Sequence, residues 1–130
     1  MNELELIELA KMVRNRAFAP FSNFKVGAVL VTSDNKTYTG CNIESASYGL
    51  TVCAERVAIW KALSDGENSF SKLIVVTDVE NPAPPCGACR QIIWEFCGNI
   101  SIVLSNLNGK TKSFKMKELL PNPFGKEFLE

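Results

Sequence analysis

KLIVVTDVENPAPPCGACRQIIWEFCGNISIVL (72–104) decides the architecture. KLIVVT (72–77) is a short, almost continuous apolar run rich in β-branched residues, the pattern of a strand buried on both faces. A proline-dense loop, NPAPP (81–85), then opens a helical stretch from Cys86 to Phe96 that Gly98 closes, and ISIVL (100–104) is a second strand. Strand, helix and strand over so short a span form a βαβ unit with parallel strands and a right-handed crossover.

Upstream of this unit, KVGAVLVT (25–32) and TYTGCNI (37–43) flank Ser33-Asp34-Asn35-Lys36 and read as a hairpin. ESASYGLT (44–51) is a loop, and Cys53 to Leu63 is helical, with Ala54, Val57, Ala58 and Ala62 at helix spacing. The chain opens with an amphipathic helix over 2–17, where Leu6, Leu9, Ala10, Val13 and Ala17 form the apolar stripe. Asn2 and Glu5 sit as a capping box, and Ala19-Pro20 ends the helix. Downstream, Asn108-Gly109 marks a turn into a fifth strand over KTKSF, and KMKELL (115–120) is a short helix stopped by Pro121. The order predicts an α/β fold, a three-layer α/β/α sandwich around one mixed five-stranded sheet, as one domain over residues 1–130. The helices starting at Cys53 and Cys86 both leave the carboxyl ends of strands on the same face. Their N-termini are therefore expected to be neighbours.

Composition bounds the function. The chain has 130 residues, 46% of them hydrophobic, with 14 Lys+Arg against 14 Asp+Glu. A balanced charge offers no basic excess to hold a polyanion, which argues against a nucleic-acid binder. The sequence has no histidine, which excludes Ser-His-Asp and Cys-His catalysis and every His-ligated metal site. The N-terminus is charged and carries no apolar leader, and no stretch is long enough to span a membrane. With an odd set of five cysteines, the expected home is the reducing cytoplasm, where clustered cysteines serve as ligands or catalytic groups.

Cys53-Ala54-Glu55 and Pro85-Cys86-Gly87-Ala88-Cys89 stand at the two helix N-termini that the topology brings together. Cys86 and Cys89 share a helical face and Cys53 approaches from the facing helix. Helix N-termini favour thiolates. Three thiolates with no fourth protein ligand describe a tetrahedral zinc site that keeps one position open for water, the mark of a catalytic centre. Glu55, outside the ligand set, is placed as a proton shuttle. The Arg56 guanidinium is placed to donate hydrogen bonds to the thiolates and offset their excess negative charge. Each feature has a plainer reading. Cys86-x-x-Cys89 alone fits a redox dithiol or half of a structural zinc clip, Phe24 fits a core residue, and Asn42 and Glu44 fit solvated polar groups. Cys41 and Cys97 read as small buried hydrophobes, and Trp60 and Trp94 as packing residues.

These motifs resemble the small tetrameric cytidine deaminases, within the wider family of zinc-dependent nucleoside and nucleobase deaminases. The resemblance covers nearly the whole chain. It is carried by Ser22-Asn23-Phe24-Lys25-Val26-Gly27-Ala28, by Asn42-Ile43-Glu44 with Ser47-Tyr48-Gly49, and by Cys53-Ala54-Glu55-Arg56. Pro85-Cys86-Gly87-Ala88-Cys89-Arg90-Gln91 and Leu119-Leu120-Pro121 with Phe124 complete it. It implies one zinc per chain on Cys53, Cys86 and Cys89, with Glu55 as general acid/base. It also implies that Phe24 packs on the pyrimidine ring, that Asn42 and Glu44 bind the ribose 3′-hydroxyl, and that the backbone at Ala54 reads the base. Tyr48 and Phe124 would complete pockets of adjacent subunits in a homotetramer. The implied reaction converts cytidine and deoxycytidine to uridine and deoxyuridine with release of ammonia. Phe18 and Phe21 replace expected tyrosines, Ser45 an asparagine and Pro84 a serine, none of them at zinc or Glu55. The rivals are a deaminase of another cytosine-bearing compound such as blasticidin S, an editor of polynucleotides, and a non-enzymatic zinc or redox module. Asn42 and Glu44 oppose the first, the balanced charge opposes the second, and the third leaves Glu55 without a role.

Overall fold

Strand β3 (Phe70–Thr77) is the axis of the molecule because it is apolar on both faces, with every residue from Leu73 to Thr77 buried. The computed structural model describes residues 1–129. Around β3 lie β1 (Val26–Thr32), β2 (Thr37–Cys41), β4 (Ser101–Ser105) and β5 (Thr111–Lys115), in the sheet order β2-β1-β3-β4-β5. β1 runs antiparallel to both β2 and β3, β3 pairs parallel with β4, and β5 returns antiparallel.

Alternation along the strands sorts side chains into two layers. Val29, Val31, Ile74, Val76 and Val103 meet Leu6, Ile7 and Ala10 of helix α1 (Glu3–Arg14). Ala28, Leu30, Leu73, Val75, Ile102 and Leu104 meet the other face's helices, chiefly α2 (Ala54–Ser64) and α3 (Gly87–Cys97), with Met116 of α4 (Met116–Leu119). Each Leu or Ile so buried contributes roughly 1.5–3 kcal/mol relative to exposure. The mixed three-layer sandwich read from the sequence is the one observed. Because β2 and β3 are both antiparallel to β1, they are parallel to each other. The connections β2-α2-β3 and β3-α3-β4 therefore put α2 and α3 side by side on one face. Among the described residues no helix is long and apolar enough to cross a membrane.

Helix α1 ends at Arg14, three residues before the expected end at residue 17. The cause lies in the next turn. The Phe18 N–H donates to the Asn42 carbonyl at 3.0 Å and the Glu44 N–H donates to the Phe18 carbonyl at 2.8 Å, so Phe18 needs an extended backbone. The same pairing ends β2 at Cys41, because Ile43 leaves β1 to bridge Phe18 and Val52. The loop read at 44–51 contains a 3-10 turn at Tyr48–Leu50.

Gly40 lets α2 approach β2. A Cβ there would lie 2.3 Å from the Ala54 carbonyl oxygen and 2.6 Å from the Ala58 nitrogen, both backbone atoms that cannot swing away. Gly40→Ala is therefore expected to push the first two turns of α2 off the sheet. Urea unfolding should show a loss of about 1–3 kcal/mol. A variant as stable as the parent would show that the helix shifts freely.

Candidate active site

Both helix starts on the α2/α3 face carry cysteine at the N-cap position. Cys53 precedes α2 and Cys86 precedes α3, each in extended backbone, and Cys89 lies in the first turn of α3, fully buried. The Cys86 Sγ accepts the Cys89 N–H at 3.4 Å, the role that Ser or Asp oxygen takes at an ordinary N-cap. Cys53 Sγ and Cys86 Sγ are 4.0 Å apart, and all three sulfurs lie within 4.8 Å of one another. A tetrahedral zinc with Zn–S bonds of about 2.3 Å sets its sulfurs about 3.8 Å apart. The observed separations exceed that spacing by at most about 1 Å. The donor set fits zinc chemically as well, being soft and sited where two helix dipoles stabilise negative charge.

The thiols are already polarised. The neighbouring Cys89 thiol, helped by Arg56 and opposed by burial, holds Cys53 well below the usual thiol range. Cys89 is shifted up by the neighbouring Cys53 sulfur and by its own burial. Arg56 Nη2 reaches Cys53 Sγ at 3.7 Å and the Thr51 carbonyl at 3.4 Å.

Beside the thiols is a cavity of about 290 Å³, lined by Phe24, Asn42, Ala54, Glu55 and Cys86 among others. Glu55 is 5% exposed, and burial pushes its carboxyl up to about 7, with the nearby Cys53 charge adding to the shift. A carboxyl so placed holds and releases protons near neutrality. Ala54, also fully buried, opens α2, so its N–H has no acceptor within the helix.

The mouth is organised by two polar side chains. The Asn42 Oδ1 accepts the Val26 N–H at 2.8 Å, and its Nδ2 donates to the Phe24 carbonyl at 2.7 Å, stapling that segment to the end of β2. The Glu44 Oε1 accepts the N–H groups of Phe21 and Ser22 at 2.9 and 3.2 Å, while its Oε2 accepts the Ser22 hydroxyl. The Ser22 hydroxyl bond, with those backbone donors, holds the Glu44 carboxyl below its usual range. Asn42 and Glu44 thus fix the Phe21–Val26 turn that presents the Phe24 ring, which is 42% exposed. Sequence reading did not foresee this bracing. Ser22, Thr51 and Thr77 also line the cavity and were not singled out. Thr77 had one signal, a hydroxyl ending an otherwise apolar strand.

Two expected pocket residues lie apart from this cavity. Tyr48 is exposed and meets Phe21 edge-on at 5.9 Å. Phe124 lies across α3, where Gln91 Nε2 donates to its carbonyl at 2.6 Å and its ring stacks on Phe128. It borders a separate surface hollow of about 440 Å³ with no thiol in its lining. Cys41 and Cys97 are half-buried, a correction to their reading as buried, and burial pushes Cys97 up to about 12. Trp94 packs against the core, whereas Trp60 is partly exposed and packs edge-on against Phe96.

Residues 1–105 match the family described as cytidine and deoxycytidylate deaminase zinc-binding region. The cytidine deaminase of Sporosarcina psychrophila is 48% identical over 130 residues, covering 99% of this chain and 96% of that protein. The cytidine deaminase of Halalkalibacterium halodurans is 44% identical, covering 98% and 97%. A crystal structure of cytidine deaminase from Burkholderia pseudomallei superposes with a TM-score of 0.93 at 46% identity, over 95% of this chain and all of that one. With a three-cysteine group positioned for one metal ion beside a buried glutamate, and with relatives matched from end to end, this chain belongs to the cytidine and deoxycytidylate deaminase family.

Proposed function

We propose that this chain, as one catalytic domain, hydrolyses cytidine and deoxycytidine to uridine and deoxyuridine with release of ammonia. The observation that carries the reading is the buried Glu55 carboxyl sharing one cavity of about 290 Å³ with Cys53 and Cys86, whose sulfurs lie within 4.8 Å of the Cys89 sulfur at paired helix N-termini. Cys53, Cys86 and Cys89 would hold zinc, which when bound supplies a Lewis acid that brings the acidity of water towards neutral pH.

The chain's own residues account for the rest. Glu55 takes a proton from the attacking water and delivers it to N3 of the base as the C4–O bond forms. It then takes the proton of the new C4 hydroxyl and carries it to the exocyclic nitrogen, so that the C4–N bond breaks, the C4 carbonyl forms and neutral ammonia leaves. The free Ala54 N–H is suited to the base carbonyl, and the Phe24 ring to the pyrimidine face. Asn42 and Glu44, already braced against the Phe21–Val26 turn, offer their remaining lone pairs and amide hydrogen to the sugar hydroxyls. Arg56 offsets part of the thiolate charge.

The exposed Tyr48 and Phe124, together with Phe18, Phe21, Ile43 and Leu50 on the surface, support a homotetramer in which neighbours complete one another's pockets. Five free thiols support a cytoplasmic enzyme.

The test is metal analysis of the purified protein with an ultraviolet assay of cytidine, deoxycytidine, cytosine and blasticidin S, run on material sized by light scattering. The expected result is one zinc per chain in a tetramer that converts both nucleosides. Free cytosine should react at least 10²-fold less efficiently, because sugar contacts contribute to transition-state binding. Conversion of blasticidin S alone would move the substrate. A fully active monomer would remove the shared pocket.

A further inference from the structure

We propose that the Thr77 hydroxyl is a hydrogen-bonding contact to the pyrimidine base, and so a specificity-determining group of this pocket; the inference rests on the nucleoside deaminase reading above. Among the described residues the other buried neutral polar side chains are satisfied. Thr32 Oγ1 donates to Asp34 and accepts from Lys36, Ser105 Oγ donates to the Asn106 carbonyl, and the Asn42 and Asn106 amides bond to backbone. Thr77 is 3% exposed, and its Oγ1 has no partner among the described residues. A buried hydroxyl without a partner keeps the full cost of losing its water. Valine would fill the same volume at the end of a strand that already reads Ile74-Val75-Val76, without that cost.

The exception lies where a ligand would cancel the cost. Thr77 lines the same cavity as Glu55, Ala54 and Cys86. It ends β3, opposite Val26, whose N–H Asn42 holds. Rotation about χ1 exchanges its methyl and hydroxyl, and threonine adopts more than one such rotamer readily. Position in the fold selects the base over the sugar. Thr77 and Val75 belong to the central strand and share the cavity wall with Glu55 and Cys86, whereas Ser22, Asn42 and Glu44 line the side formed by the Phe21–Val26 turn and the end of β2. A hydroxyl both donates and accepts, so it can serve a ring carbonyl or an amino group.

The test compares wild type, Thr77→Val and Thr77→Ser as zinc-loaded enzymes on cytidine and deoxycytidine, with zinc content and Tm alongside. Thr77→Val is expected to lower kcat/KM about tenfold, mainly through KM and by the same factor for both nucleosides. Its zinc content should be unchanged and its Tm equal or higher. Thr77→Ser should recover activity to within about twofold of wild type. Activity of Thr77→Val within twofold of wild type, a loss confined to the ribonucleoside, or a loss that follows a lower Tm or zinc content would each overturn the base contact. A wild-type protein that converts neither nucleoside would instead fail the deaminase reading, and the base contact would fall with it.

Discussion

Glu55→Gln is expected to keep its fold and its zinc while kcat for cytidine falls about 10²–10⁴-fold, the range of a positioned general acid/base. Glutamine has the shape of glutamate, so the buried site keeps its packing and gains no cavity. It brings no charge into a position where burial already disfavours one. What it cannot do is accept the water proton or return it to N3. The loss should therefore appear in kcat, with KM changed by less than about fivefold, because ground-state contacts at the ring face and sugar remain. Tm and zinc content measured on the same preparation separate this outcome from misfolding. Turnover within tenfold of wild type would remove Glu55 from the proton path.

The sequence was legible where chemistry and periodicity coincide. The apolar run at 72–77 located the central strand, and two cysteine motifs at strand-to-helix junctions located the thiol cluster before any contact was known. Topology explains why this works, since paired crossovers bring two helix starts together whatever their separation in the chain. Less legible were features set by pairing between distant backbones. Nothing in residues 15–18 announces that Phe18 leaves the helix to bond with Asn42 and Glu44. From the sequence the polar rim reads as sugar-binding or as solvated, while its amide and carboxylate also brace the Phe21–Val26 turn. That bracing depends on bonds across a span of about twenty residues, which no local pattern reports. Thr77 was passed over for the converse reason, because a single hydroxyl in an apolar strand carries no periodic signal.

Substitution of Cys86 distinguishes ligation from folding in a way that the other two thiols do not allow. Cys89 is fully buried and its removal would open the core, and Cys53 also accepts from the Arg56 guanidinium at 3.7 Å. Cys86 is exposed, and among the described residues its sulfur's only polar tie besides Cys53 is the N–H of Cys89 at the start of α3. Cys86→Ala removes both a ligand and a cap, whereas Cys86→Ser keeps a good cap but replaces a soft thiolate with a hard alcohol. Both variants are expected to lose zinc on dialysis against a mild chelator that leaves wild type loaded, and to lose at least 10³-fold in turnover. Their metal-free forms should differ. Cys86→Ser should match metal-free wild type in urea unfolding, and Cys86→Ala should be less stable by about 1 kcal/mol, the worth of an N-cap. Wild type should then stand above all metal-free forms by an amount that grows with free zinc, as binding to the folded state alone requires. Full zinc occupancy in Cys86→Ala would refute the three-thiolate site, because two sulfurs at this spacing do not hold the ion against a chelator.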